Sequence, residues 1–200
     1  MRLIETEADL ALGAAHLAAV CPVWARVLPR LGPLPLRRSG DGFEAIAQAV
    51  TGQQISVAAA ASIWARMQAA GLVAPEAIAA ADDDALRATG LSRPKLRYLK
   101  GIANAGLDWQ GLRTLSDDGA IAALVALPGV GTWTAEIYLK FALGRADVLA
   151  AGDLALQEAA RMMYGLEARP GPAALRALSQ PWRPWRAVSA RGLWAYYRQA

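Results

Sequence analysis

The chain is poor in the residues that build metal centres and cross-links. It has one cysteine, Cys21, and one histidine, His16. A disulfide within the chain is therefore excluded, and a Cys/His zinc site is nearly so. β-Branched runs are scarce, whereas Ala and Leu abound and 55% of the residues are hydrophobic. That balance favours an all-α protein. No apolar stretch is long enough to span a bilayer unbroken: the run from Ala45 to Trp64 comes closest, and Gln48, Gln53, Gln54 and Ser56 interrupt it. Residues 1–9 carry acids and no apolar core, so no signal peptide is read. The expectation is a cytoplasmic monomer without a membrane partner. Two hundred residues allow one or two domains with a substantial core.

The net charge is +4, and almost all the positive charge is Arg. It is unevenly spread. From Leu154 to Ala200 there are seven Arg, against only Glu158 and Glu167. A basic C-terminal face suits a polyanion, although Arg-rich helices are also a common solvated surface.

The chain reads as a succession of helices. Thr6 to Val20 is the first, with Thr6 and Asp9 in capping-box positions. Pro22 ends it or starts a second helix through Leu28, and Pro29 to Asp41 reads as a linker. Phe43 to Thr51 is a short helix. Gln53 to Ala69 is longer and apolar on nearly every side, which predicts a buried central helix. Gln53 and Gln54 at its start are odd there, since buried amides need partners; an opening, or simple capping, would explain them. Pro75 to Ala80 and Asp82 to Ala88 are short helices. Asp82-Asp83-Asp84 could suggest a metal site, but acids at a helix start are more often caps. Ser92 to Ala105 is a helix, Trp109 to Thr114 a loop. After a connection from Gly144 to Gly152, Asp153 precedes a helix to about Met163. Ala173 to Leu178 and Trp182 to Arg198 complete the list.

One stretch organises the rest: Leu127-Pro128-Gly129-Val130-Gly131-Thr132-Trp133-Thr134-Ala135. Upstream, Asp117 to Ala126 has helical spacing with Ser116 as N-cap. Downstream, Thr134 to Leu143 reads as a second helix. Pro and Gly between them make a tight turn, giving a helix-hairpin-helix. Such a turn offers unpaired N–H groups at a helix start, where the dipole is positive, and binds phosphate without a basic side chain. An ordinary αα-hairpin reads the same locally.

Three further features fall in order: Trp133 inside the second hairpin helix, Asp153 some way beyond it, and the aromatic C-terminal stretch Trp182-Arg183-Pro184-Trp185-Arg186 with Trp194-Ala195-Tyr196-Tyr197. Taken singly, Asp153 reads as a helix N-cap and the aromatics as core. Together with Gly52-Gln-Gln-Ile-Ser-Val57, Gly90-Leu-Ser-x-x-Lys95 and Gly152-Asp153-Leu154-Ala-Leu-Gln157, the ensemble resembles the helix-hairpin-helix DNA glycosylases. Within them it is most similar to the DNA-3-methyladenine glycosylase II branch, over about Phe43 to Tyr197.

The resemblance implies a fold and a chemistry. The fold would be two all-α subdomains, one holding the hairpin, with a cleft between them and Asp153 facing Trp133 across it. Residues 1–37 would pack with residues 144–200, and residues 38–143 would form the hairpin subdomain. The N-terminal sheet domain common in this branch would be absent, because the residues before Arg38 read as helical. No iron–sulfur cluster of the endonuclease-III kind is expected, since one cysteine cannot hold it.

Asp153 matches the catalytic aspartate, and Trp133 stands where bifunctional relatives carry the Schiff-base lysine, so a monofunctional enzyme is implied. Lys140 would be a poor substitute. Trp133 and Trp194 match base-pocket positions; Ile137 and Tyr138 fall at a further, variable one. Gln54, with Gln53 as the alternative, matches the side chain inserted when a base is flipped out. Gly129, Gly131 and Thr132 would bind phosphate through their N–H groups. The carbonyls of Val125, Leu127 and Val130 match a monovalent-cation site for Na+ or K+, and no other cofactor is implied. The partner would be double-stranded DNA and the substrate an alkylated purine of the 3-methyladenine or 7-methylguanine type. The alternatives are a glycosylase for uracil, hypoxanthine or oxidised guanine, a non-catalytic DNA clamp, or a helical protein-interaction domain.

Overall fold

The computed structural model describes all 200 residues and contains twelve α-helices, two short 3-10 turns and no strand. The only β-type pairing is an isolated bridge between Leu3 and Arg145. No helix is long and apolar enough to cross a membrane. The chain divides into two compact units, one of residues 1–38 with 139–200 and one of residues 39–138. The division falls inside a helix at Tyr138/Leu139, earlier than the expected Leu143.

The first unit is built around its last helix. α1 (Glu7–Val20) opens with the expected capping box: Thr6 Oγ accepts from the Asp9 N–H, and Asp9 accepts from the Thr6 N–H. α2 (Pro22–Leu31) runs one turn beyond Leu28 and carries Pro29 inside that turn, at the loss of one i→i−4 hydrogen bond. Between these and α10 (Leu154–Tyr164) lies α12 (Arg186–Gln199), whose residues 187–193 are all buried. Two glycines let the helices approach. A Cβ on Gly13 would lie 2.5 Å from Val188, and one on Gly192 would lie 2.6 Å from the Trp24 ring. Trp24 in turn meets Trp182 edge to face at 5.6 Å. α12 starts four residues later than the expected Trp182. Pro184 forces Arg183 into extended backbone, so Gln180–Trp182 forms only a 3-10 turn. α11 (Pro172–Leu178) completes the unit.

The second unit packs α3 (Gly42–Gly52) against α4 (Val57–Ala69) and α7 (Arg93–Ala103), with α5 (Pro75–Ala80) and α6 (Asp83–Ala88) also on α7. Asp82 Oδ1 caps α6 by accepting from the Ala85 N–H at 2.7 Å, and no group of acids there could hold a metal. α4 corrects the sequence reading twice. It starts at Val57, capped by Ser56, rather than at Gln53, and it is not a buried central helix. Only Trp64 and Met67 are buried along it, and Val57 is 87% exposed. The run is hydrophobic mainly through alanine, which favours helix but carries too little apolar surface to demand burial. α8 (Asp117–Val125), capped by Ser116, and α9 (Thr132–Phe141) then form the hairpin.

Candidate active site and nucleic-acid interface

The turn between α8 and α9 is held from three sides within its own unit. The Val130 N–H donates to the Leu127 carbonyl at 3.2 Å, closing the turn. Gly129 has φ +76°, and a Cβ there would collide with the Tyr98 ring, so both conformation and space demand glycine. Pro128 seats over Gly101 of α7, where a Cβ would lie 2.6 Å from its ring. The Gly129 carbonyl accepts from Gln53 Nε2 at 3.0 Å. Gly131 then heads α9, its carbonyl taking the Ala135 N–H at 3.0 Å. Around Gly131 there is open space, and Gly131 and Thr132 are exposed. Their N–H groups lie at the positive end of α9 with no intrahelical acceptor available to them. Tyr98 and Gly101 escaped the sequence reading; a glycine amid α7 was their one signal.

Gln53 and Gln54 therefore part company. Gln53 is the C-cap of α3, and its amide is bound to the hairpin, which argues against its being the inserted side chain. Lys95 Nζ donates to the Thr51 carbonyl at 2.7 Å, securing the same helix end, and burial lowers its pKa from the ordinary lysine value. Gln54 follows, exposed and at φ +58°, a left-handed conformation that only glycine adopts cheaply. Ile55 and Val57 beside it are exposed as well.

Trp133, in the first turn of α9, is 45% exposed. Ile137, one turn on, is half-buried. Tyr138 is only 4% exposed, and its hydroxyl donates to Asp41 while accepting from the Gly42 N–H. Burial, and then the bond to Asp41, raise its pKa from the ordinary tyrosine value. Trp109 lies 6.2 Å from the ring. Tyr138 is thus engaged in the unit's core, where it secures the start of α3, and it offers no open face to a base. Of the carbonyls suggested for a monovalent cation, that of Leu127 spends one lone pair on Val130, while Val125 stands at the exposed end of α8.

In the other unit, Asp153 is the N-cap of α10. Its Oδ1 accepts from the N–H groups of Ala155 at 2.9 Å and Leu156 at 3.1 Å, and from Trp194 Nε1 at 3.3 Å. The approach to the cap is fixed as well: the buried Gln157 donates to the Ala151 carbonyl at 2.8 Å. The Trp194 ring stacks on Phe141, with centroids 5.9 Å apart and planes 21° apart. Lys140 is wholly buried, and its Nζ lies 4.4 Å from the Trp194 ring centre. The structure thus brings Asp153, Trp194, Phe141 and Lys140 together.

A hairpin with this turn and a helix-capping aspartate after it can be compared with known proteins. The pattern of the HhH-GPD superfamily of base excision DNA repair proteins matches residues 47–184. The chain belongs to that superfamily. An alkylbase DNA glycosidase-like protein of Schizosaccharomyces pombe is 28% identical over 200 residues, 94% of each chain. DNA-3-methyladenine glycosylase 1 of the same yeast is 30% identical over 191 residues, 90% of this chain and 84% of the relative. Among solved structures, a DNA-3-methyladenine glycosidase from Bacillus halodurans superposes with TM-score 0.81 at 29% identity, covering 97% of this chain and 91% of that one. The yeast 3-methyladenine DNA glycosylase solved with abasic DNA gives 0.78 at 30%, covering 91% and 94%. The HhH-GPD fold is therefore shared along nearly the whole chain.

Proposed function

We propose that this HhH-GPD protein is a monofunctional DNA glycosylase that releases alkylated purines of the 3-methyladenine and 7-methylguanine type from double-stranded DNA. The observation that carries the reading is Asp153, a carboxylate immobilised at a helix N-cap in a chain whose relatives are named for this activity. Breaking an N-glycosidic bond builds positive charge on the sugar. A fixed carboxylate stabilises that charge and orients the attacking water. An alkylated purine with a positive ring is already a good leaving group, so little further acid catalysis is needed. Trp133, 45% exposed, offers an indole face that attracts such a ring, worth about 0.5–2 kcal/mol; Trp194, matched to a base-pocket position, already has its ring against Phe141 and the Lys140 ammonium. With a tryptophan at position 133, no amine stands there to attack the sugar carbon, and Lys140 is buried.

The remaining residues serve DNA. Gly129, Gly131 and Thr132 would take a backbone phosphate on their N–H groups. Gln54 would fill the space left by the flipped nucleotide, an assignment its strained, exposed backbone supports. A monovalent cation on the carbonyls of Val125, Leu127 and Val130 would add positive charge at the same turn. The protein would act as a monomer.

The test is a duplex carrying one 7-methylguanine, beside an undamaged duplex, each incubated with the wild type and with Asp153→Asn. Free base from the damaged duplex with the wild type only, and strand breaks only after alkali, are expected. Tight binding without release from any alkylated base would replace the reading with a non-catalytic clamp. Breaks without alkali would refute the monofunctional assignment.

A further inference from the structure

Lys140 has no part in that chemistry, yet its position needs a cause. It is one of three lysines in the chain, and it is wholly buried. Taking an ammonium out of water costs several kcal/mol, which a leucine at the same place would avoid. Glu136, four residues earlier on the same helix, is also buried. The i, i+4 spacing is that of an opposite charge on one helix face. It does not explain why Nζ sits 4.4 Å from the centre of the Trp194 ring, well inside the range of a cation–π contact. Another buried cation is differently employed: Arg191, whose pKa burial pushes down to about 10, lies over Phe141 and gives its N–H groups to the Leu36 and Ala187 carbonyls.

The edge of the Trp194 ring is what makes the contact consequential. Its Nε1–H donates to Asp153 Oδ1 at 3.3 Å, at the long end of the range for an N–H···O bond. The two backbone donors to the same oxygen, from Ala155 and Leu156, come from one side, the helix start. The indole reaches the same oxygen from another element, α12. A cation on the indole face draws electron density from the ring, so the N–H becomes a better donor, and it also holds the ring in place. Phe141, stacked on the ring, limits its tilt.

We propose that Lys140 is a positioning residue: its ammonium, acting through the Trp194 indole, strengthens and orients the N–H bond that fixes the Asp153 carboxylate for glycosidic hydrolysis. The inference rests on the glycosylase reading. It assigns Trp194 a role through its N–H edge, and it gives α9 a function at its C-terminal end as well as at the hairpin.

The experiment is a double-mutant cycle on single-turnover release of 7-methylguanine from duplex DNA. Lys140→Met and Lys140→Gln should each slow release about 3- to 10-fold, while affinity for an abasic duplex stays unchanged. Lys140→Arg, which keeps a cation, should restore most of the rate. Trp194→Phe, which keeps a ring but loses the N–H, should slow release about 10-fold. In the Trp194→Phe background, Lys140→Met should then have no further effect. Two outcomes overturn the proposal: a wild-type rate in both neutral variants, or an equal loss from Lys140→Met with and without the indole N–H, which would assign Lys140 to packing alone. Thermal unfolding of each variant shows whether a slow protein is also a destabilised one. Failure of the wild type to release any base would refute the glycosylase reading instead, so the two failures are distinguishable.

Discussion

Two helix starts in this protein obey the same physics and are finished in opposite ways. At α10, Asp153 places its own carboxylate on the first N–H groups of the helix. At α9, Gly131 brings no side chain at all, and the space around it is open. Both ends carry the partial positive charge of a helix N-terminus. The first uses it to hold a fixed negative charge; the second, on the proposed function, would take the negative charge of a phosphate. A carboxylate at α9 would repel a phosphate, and a bare α10 would leave a glycosidic cation unattended. The residue at the cap, not the helix, decides whether such an end binds an anion or presents one.

The greatest loss comes from changing the α10 end. Asp153→Asn retains a good N-cap, so the melting temperature should stay within a degree or two, while base release should fall about 100-fold or more. Asp153→Ala should lose as much rate and, in addition, about 1 kcal/mol of stability. Equal stability of the two variants would show that Asp153 contributes nothing as a cap. The complementary change is Gly131→Asp, which makes α9 resemble α10. Thermal stability should hold or rise, and Kd for an abasic duplex, read by fluorescence anisotropy, should increase at least about 10-fold. Unaltered affinity would remove phosphate from the account of the hairpin.

A smaller effect separates the two glycines of the turn. Gly129→Ala meets both a left-handed backbone and the Tyr98 ring, so denaturant unfolding should show a loss of about 2 kcal/mol or more. Gly131→Ala enters open space at ordinary φ, and should cost under about 1 kcal/mol. Similar losses in both would mean that the turn is supported otherwise than by its packing on α7.

The same contrast explains what the sequence made legible. The hairpin is a matter of backbone, and backbone demands leave local marks: Pro128, Gly129 and Gly131 with a Ser116 cap upstream were enough to read it. The Asp153 cap was legible for the same reason. Side-chain assemblies leave no such marks. Nothing near Lys140 or Trp194 in the chain points to the other, because their contact depends on how α9 and α12 pack. The resemblance puts Tyr138 beside a pocket position, and its burial and its bond to Asp41, almost a hundred residues earlier, show that it belongs to the core. Alanine misleads in the opposite direction, since the all-round apolar character of α4 is real but its burial is not.

Gln54 gives the smallest effect and the finest test, because it belongs to neither helix start and yet pays for its conformation. A non-glycine residue at φ +58° costs of order 1 kcal/mol, and nothing in the packing of the loop requires glutamine there. Gln54→Gly should therefore raise stability by up to about 1 kcal/mol. If the side chain fills the gap behind a flipped base, the same variant should release 7-methylguanine several-fold more slowly from duplex DNA, with no change on a single strand, where there is no gap to fill. Gln53→Leu is the control: it removes the bond to the Gly129 carbonyl, so it should weaken the turn and slow both substrates together. A duplex-specific loss in Gln53→Leu and none in Gln54→Gly would transfer the insertion to Gln53, and the strain at position 54 would then have no functional cause.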